Sequence, residues 1–133
     1  MAIDASRLAT VPLFAGLSDE ERADAADHLE ARTVSAGEHL SNEGGAGYFI
    51  FIIESGTAQV SRGGEVVAEL GPGDFFGEAA VLETFRRTAT VTALTPMTVF
   101  AMFGADFVFL ESRSPSVHEM ISKALDERSG RAH

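Results

Sequence analysis

The sequence predicts a mainly β chain, an antiparallel sandwich or jelly roll set between helical ends. Three observations carry that prediction. Ten of the thirteen glycines fall between Gly37 and Gly77. Short apolar and β-branched runs fill the spaces between them, at the lengths and turn spacing of antiparallel strands. Outside that stretch the apolar residues change to helical spacing, with cap residues ahead of them. At 133 residues and 45% hydrophobic composition the chain has the length of one domain and enough apolar side chains for a core. A single domain over residues 1–133 is expected.

Residues 1–32 read as helical. Pro12 separates a short turn around Ala5 to Ala9 from the main helix, which opens at Ser18. Ser18 and Glu21 are spaced as a capping box, and Asp19 and Glu20 add negative charge at the positive end of the helix dipole. Ala25, Ala26 and Leu29 give that helix a narrow apolar stripe. Residues 33–103 read as the β region. "YFIFIIES" (48–55) is a buried-strand run, and "TAQVSR" and "EVVAEL" flank Gly63-Gly64, a two-residue hairpin signal. "RTATVTAL" and "MTVFAMF" are two more strands, broken at Thr95-Pro96. Residues 104–128 return to helix. Ser114 caps a proline at the first helical position, and Val117, Met120, Ile121, Ala124 and Leu125 follow as a complete amphipathic stripe. Gly130 is expected just past the helix end.

Composition narrows the function. A net charge of −10 argues against nonspecific binding to nucleic acid or to an anionic membrane, because both require phosphate to be neutralised. With no cysteine there are no disulfides, thiol nucleophiles or thiolate metal sites. The N-terminus lacks a basic region followed by an apolar one, and no apolar run approaches the roughly 20 residues that span a bilayer. A cytoplasmic domain is expected, and nine arginines against one lysine suggest a bacterial source.

The stretch "GDFFGEAAVLETFRRTATV" (73–91) holds the unusual chemistry. Gly71 and Gly73 bracket Pro72 in a tight turn that leads to Phe76. Gly77 then permits a backbone conformation closed to other residues, or the close approach of a ligand. A helical turn over residues 78–82 would aim free N–H groups toward Gly77, the usual setting for a phosphate. Arg87 supplies a planar fork that matches two phosphate oxygens. Glu78 would repel phosphate, so a ligand hydroxyl is its natural partner. These parts describe a pocket for a phosphate joined to a sugar. A Glu78–Arg87 salt bridge fixing a loop is the alternative that the residues leave open.

Phe76-Gly77-Glu78 followed by Arg87-Thr88-Ala89-Thr90-Val91 resembles the phosphate-binding cassette of cyclic nucleotide-binding domains. These are the β-roll modules of catabolite activator proteins, cyclic-nucleotide-dependent kinases and cyclic-nucleotide-gated channels. The likeness extends to "PLFAGLSDEE" as the first helix, "AGEHLSNEGG" as a first hairpin, "FIIESGTAQV" as middle strands and "ELGPGDFFGE" as the approach to the cassette. It implies a double-stranded β-helix, a jelly-roll-like roll of about eight antiparallel strands with flanking helices. It further implies that Gly77, Ala79 and Ala80 offer backbone N–H groups to a cyclic phosphate. Arg87 would pair with that phosphate and Thr88 would add a hydroxyl donor. Glu78 would accept from the ribose 2′-hydroxyl, and Val60, Ala68 and Leu70 would face the base. The ligand implied is a cyclic nucleotide, cAMP or cGMP, with no cofactor, and the bacterial look of the composition favours cAMP. The C-terminal stripe would serve as core, as a seam to a second copy or an effector, or as a lid over the base.

Other groups carry less. Arg86 reads as a solvated rim position, and His28, His39, His118 and His133 are scattered rather than paired at metal-ligand spacing. A metal-dependent cupin needs a His-x-His, a Glu and a later His, which this chain lacks. No metal, catalytic residue, direct nucleic-acid contact or membrane contact is expected. The competing reading is a structural or interaction module that keeps the roll and binds no ligand.

Overall fold

The computed structural model describes residues 3–45, 47–77 and 89–130, with the backbone alone for 124–130. Among the described residues eight strands form two four-stranded antiparallel sheets. They are β1 (Leu29–Val34), β2 (His39–Ser41), β3 (Phe49–Ser55), β4 (Ala58–Arg62), β5 (Glu65–Leu70), β6 (Phe75–Phe76), β7 (Thr90–Ala93) and β8 (Met97–Phe103). One sheet runs β1-β8-β3-β6 and the other β2-β7-β4-β5. This is the mainly β roll that the sequence implied.

The run from Phe49 to Ser55 shows no polar alternation because both of its faces are covered. Ile50 and Ile52, with Phe100 and Met102 from the neighbouring β8, face a cluster that includes Leu8, Phe14, Phe107, Val117 and Ile121 from the helices. Phe51 and Ile53, with Val99 and Ala101, face the opposite way, toward Ala58, Phe76, Val91 and Ala93 inside the roll. The sheet containing β3 is thus shared by two cores. Period-2 geometry sends alternate residues to each.

Among the described residues four helical elements flank the roll besides a 3-10 turn at Ala5–Leu8: α1 (Pro12–Ala15), α2 (Asp19–Asp27), α3 (Gly104–Arg113) and α4 (Pro115–Gly130). The capping box of α2 is complete, with Glu21 N–H donating to Ser18 Oγ and Ser18 N–H donating to Glu21 Oε1. Arg7 binds Glu54 through two nitrogens and lies over the Phe100 ring, fastening the 3-10 turn to β3. Ser114 Oγ accepts from Val117 N–H, so the predicted cap of α4 is present.

Three sequence expectations are corrected. β1 starts at Leu29, inside the segment read as helical, because pairing from Leu29↔Met102 to Val34↔Met97 outweighs the weak helical stripe. The segment matched to a first hairpin forms β2, which pairs with β7 across the roll instead of with a chain neighbour. Helix α4 continues through Gly130, which therefore lies within it.

Hydrogen bonds at Ser18 hold the Glu21 carboxyl below its ordinary 4.5, and backbone and side-chain bonds at Ser6 hold Asp4 below 3.8. Both folded values are depressed, so the stabilisation is present above the ordinary values and is lost as pH falls through the folded ones. Melting temperature is expected to drop on acidification from about pH 5 to about pH 3, and Glu21→Gln to flatten part of that drop. Parallel wild-type and Glu21→Gln melts at several pH values check it. Superimposable curves would count against the capping contribution.

Candidate functional site

The turn before the candidate site is built on Gly71, Pro72, Gly73 and Asp74. Asp74 N–H donates to the Gly71 carbonyl at 3.0 Å, with proline second and Gly73 third at φ +91°, as a type II turn requires. The Asp74 carboxylate closes the turn by accepting from Gly71 N–H at 2.8 Å. Gly73 N–H to Ile53 O, and Ile53 N–H to Asp74 O, staple it to β3, each at 2.8 Å. Sequence reasoning found the turn and missed its aspartate. The signal was available in Gly-x-Gly-Asp, since aspartate commonly binds a nearby backbone N–H.

From that turn the chain enters β6. Phe76 stacks on Phe51 with ring centroids 5.2 Å apart, anchored in the roll core. Gly77 follows at φ +96°, a conformation that L side chains rarely adopt. Val60 and Leu70 pack, half-buried, against the cluster that contains Phe76. Val60 pairs with Ala68, and Ala58 with Leu70, so Val60, Ala68 and Leu70 share the inner face of the β4–β5 hairpin. Gly63 and Gly64 turn that hairpin with φ of +60° and +84°, both positive as in a type I′ turn. Val60 and Leu70 thus share the roll interior with Phe76, the residue before Gly77, and Ala68 lies on the same hairpin face. Glu78, Ala79, Ala80, Arg86, Arg87 and Thr88 lie outside the described residues.

The remaining candidates fall elsewhere. His28 faces Asp106 at 3.7 Å, His118 meets Glu111 at 2.9 Å, and His39 meets Asn42 at 3.0 Å. Among the described residues no three of His, Asp and Glu converge as metal ligands would. An open, uncharged pocket of about 450 Å³ is lined by residues 33–36, Ser55 and residues 96–98, and it includes none of the candidate ligand residues. Val117 and Ile121 are fully buried in the helix-side core, with Met120 packed against it. Of the three roles considered for that stripe, these residues occupy the core. No helix among the described residues is long and apolar enough to cross a membrane.

Comparison with known proteins gives this geometry a family. The cyclic nucleotide-binding domain model matches residues 31–113, and the chain belongs to that family. It is similar to a cyclic nucleotide-gated potassium channel of Mesorhizobium japonicum, 38% identical over 125 residues that cover 94% of this chain and 35% of the channel. A cAMP-dependent protein kinase regulatory subunit of Yarrowia lipolytica is 44% identical over 101 residues, 74% of this chain and 27% of the subunit. The solved structure of the regulatory domain of Toxoplasma gondii PKA with cAMP superposes with a TM-score of 0.81 at 27% identity, covering 92% of this chain and 48% of that one. The chain thus spans only about a quarter to a third of these two curated relatives.

Proposed function

We propose that this chain is a cytoplasmic cyclic nucleotide sensor that prefers cAMP to cGMP and passes ligand binding to α4. The observation that carries the reading is the family match from 31 to 113, which runs through Gly77 and the whole stretch that holds Glu78 and Arg87. The cAMP preference is supported by the Yarrowia and Toxoplasma relatives, whose names specify that nucleotide. Arg87 would neutralise the cyclic phosphate alongside the N–H groups of Gly77, Ala79 and Ala80. Glu78 would accept from the ribose 2′-hydroxyl, Thr88 would donate a further hydrogen bond, and Val60, Ala68 and Leu70 would cover the base. A second copy or an effector protein would take the output from α4.

Coupling to α4 has a short route. A Cβ on Gly73 would lie 3.1 Å from Pro12 Cδ, so the turn before the site touches the start of α1. One turn along, Gly16 faces Ser116 of α4, where an added Cβ would sit 3.2 Å from the serine Cβ. A ligand that binds one arrangement of this stack better than another shifts the population toward it. Calorimetric titration with cAMP and cGMP, paired with amide exchange, tests the reading. Binding of cAMP ahead of cGMP is expected, with slower exchange along residues 116–126 once ligand is bound. A protein that ignores both nucleotides at millimolar concentration is the ligand-free module instead. Binding without any change in exchange would remove the coupling alone.

A further inference from the structure

The loop after β2 reaches two separate parts of the roll. Glu43 N–H donates to Thr90 Oγ1 at 3.0 Å, on the first residue of β7. The Glu43 carboxylate accepts from Gly63 N–H at 2.9 Å, at the tip of the β4–β5 hairpin. Two residues before Glu43, the buried Ser41 hydroxyl donates to the Ala89 carbonyl at 3.0 Å and holds the same end of β7. Thr90 follows Arg87 by three positions, and Gly63 ends the hairpin that carries Val60 and Ala68. One residue therefore joins the strand behind the proposed phosphate contact to the hairpin behind the proposed base contacts. The pairing of β4 with β7 ends at Ser61↔Thr90, which leaves the hairpin tip beyond the ladder, where fraying starts.

We infer that Glu43 is a positioning residue for the ligand site, setting the β4–β5 hairpin tip against the start of β7. The inference rests on the cyclic nucleotide reading above. In a cyclic nucleotide the phosphate and ribose form a rigid fused bicycle, so the distance from the phosphate to the sugar carbon that bears the base is fixed, and the two halves of the pocket must match it. A tip held in advance does not have to be ordered when the ligand arrives. Ser41 assists from below, and Glu43 supplies the contact that crosses between the halves.

The test compares wild type, Glu43→Ala and Glu43→Gln by cAMP titration, ligand-free melting and exchange of the Gly63 amide. Glutamine keeps an acceptor for Gly63 N–H and alanine does not. Glu43→Ala is expected to weaken cAMP binding by roughly 3- to 10-fold and to speed Gly63 exchange, while Glu43→Gln stays within about twofold of wild type. Both variants should melt within about 2 °C of wild type, because the bonds removed are solvent-exposed. Thr90→Val, which removes the other contact at nearly constant shape, should weaken binding in the same range. Wild-type affinity in Glu43→Ala overturns the inference. So do equal losses in the alanine and glutamine variants that track a fall in ligand-free melting temperature. A wild type that binds no cyclic nucleotide overturns the functional reading and this inference with it, whereas a binding wild type with an indifferent Glu43→Ala overturns this inference alone.

Discussion

Arg87→Ala is expected to weaken cAMP binding by on the order of 30- to 5,000-fold, equivalent to roughly 2–5 kcal/mol. A cyclic phosphate carries a full negative charge, and in a protein with a net charge of −10 it needs a local cation. Arginine meets two of its oxygens at once, and truncating that partner leaves the phosphate desolvated and unpaired. Arg87→Lys should restore only part of the affinity, since a point charge cannot make the forked contact. Arg86→Ala should change binding little if Arg86 holds the rim position expected from the sequence. If Arg87 instead serves a salt bridge with Glu78, Arg87→Ala lowers the melting temperature and leaves nucleotide affinity unchanged. Titrations and melts of wild type and the three variants separate the two.

The second large effect is on folding. Gly56 stands between β3 and β4 at φ +91°, and an added Cβ would lie 2.5 Å from Pro96 O and 2.8 Å from Met97 Cα. Pro96 O belongs to the backbone just before β8 and Met97 Cα to the first residue of β8, so neither can swing away as the end of a side chain could. Gly56→Ala is expected to lose about 1–2 kcal/mol to backbone strain and about 1–3 kcal/mol to overpacking. The melting temperature should fall by roughly 10 °C. Gly37 separates the two causes, because it has φ +87° with nothing within 4 Å of an added Cβ. Gly37→Ala should therefore show the strain alone. Equal losses at the two positions would mean that the approach to Pro96 and Met97 contributes nothing.

Features encoded by local chemistry were legible in the sequence. Ser18 and Glu21 gave the start of α2, Ser114-Pro115 gave the start of α4, and Gly63-Gly64 gave the hairpin. "MTVFAMF" became β8 over the predicted residues. What escaped depends on partners far along the chain. Residues 29–34 have no turn signal before them, and they become a strand because β8 offers an edge nearly seventy positions later. β2 is three residues long and likewise exists through its distant partner β7. The site divides the same way. Gly77 was read from its neighbours, whereas Val60, Ala68 and Leu70 came only from the family resemblance, and it is the register of β4 with β5 that puts them on one face. Glu43 was not found, because nothing in "SNEGG" indicates that its carboxylate will meet a backbone N–H twenty residues on.

The shared sheet sets a limit on how far α4 can travel. Val117 and Ile121 are seated in the core that covers Ile50, Ile52, Phe100 and Met102. Lifting the helix clear would return two fully buried aliphatic side chains to water, at about 1.5–3 kcal/mol each, before counting the sheet face left bare. Inverting a two-state population from 1:99 to 99:1 takes about 5.5 kcal/mol of differential affinity. Exposing these two side chains alone would thus cost an amount comparable to that whole differential. If binding is passed to α4 as proposed, a slide costs less than detachment, because α4 would exchange neighbours on the same apolar surface as packed helices do in shear. On that proposal the underside of β3 and β8 would work as a bearing, smooth enough to let the helix shift and sticky enough to keep it from leaving.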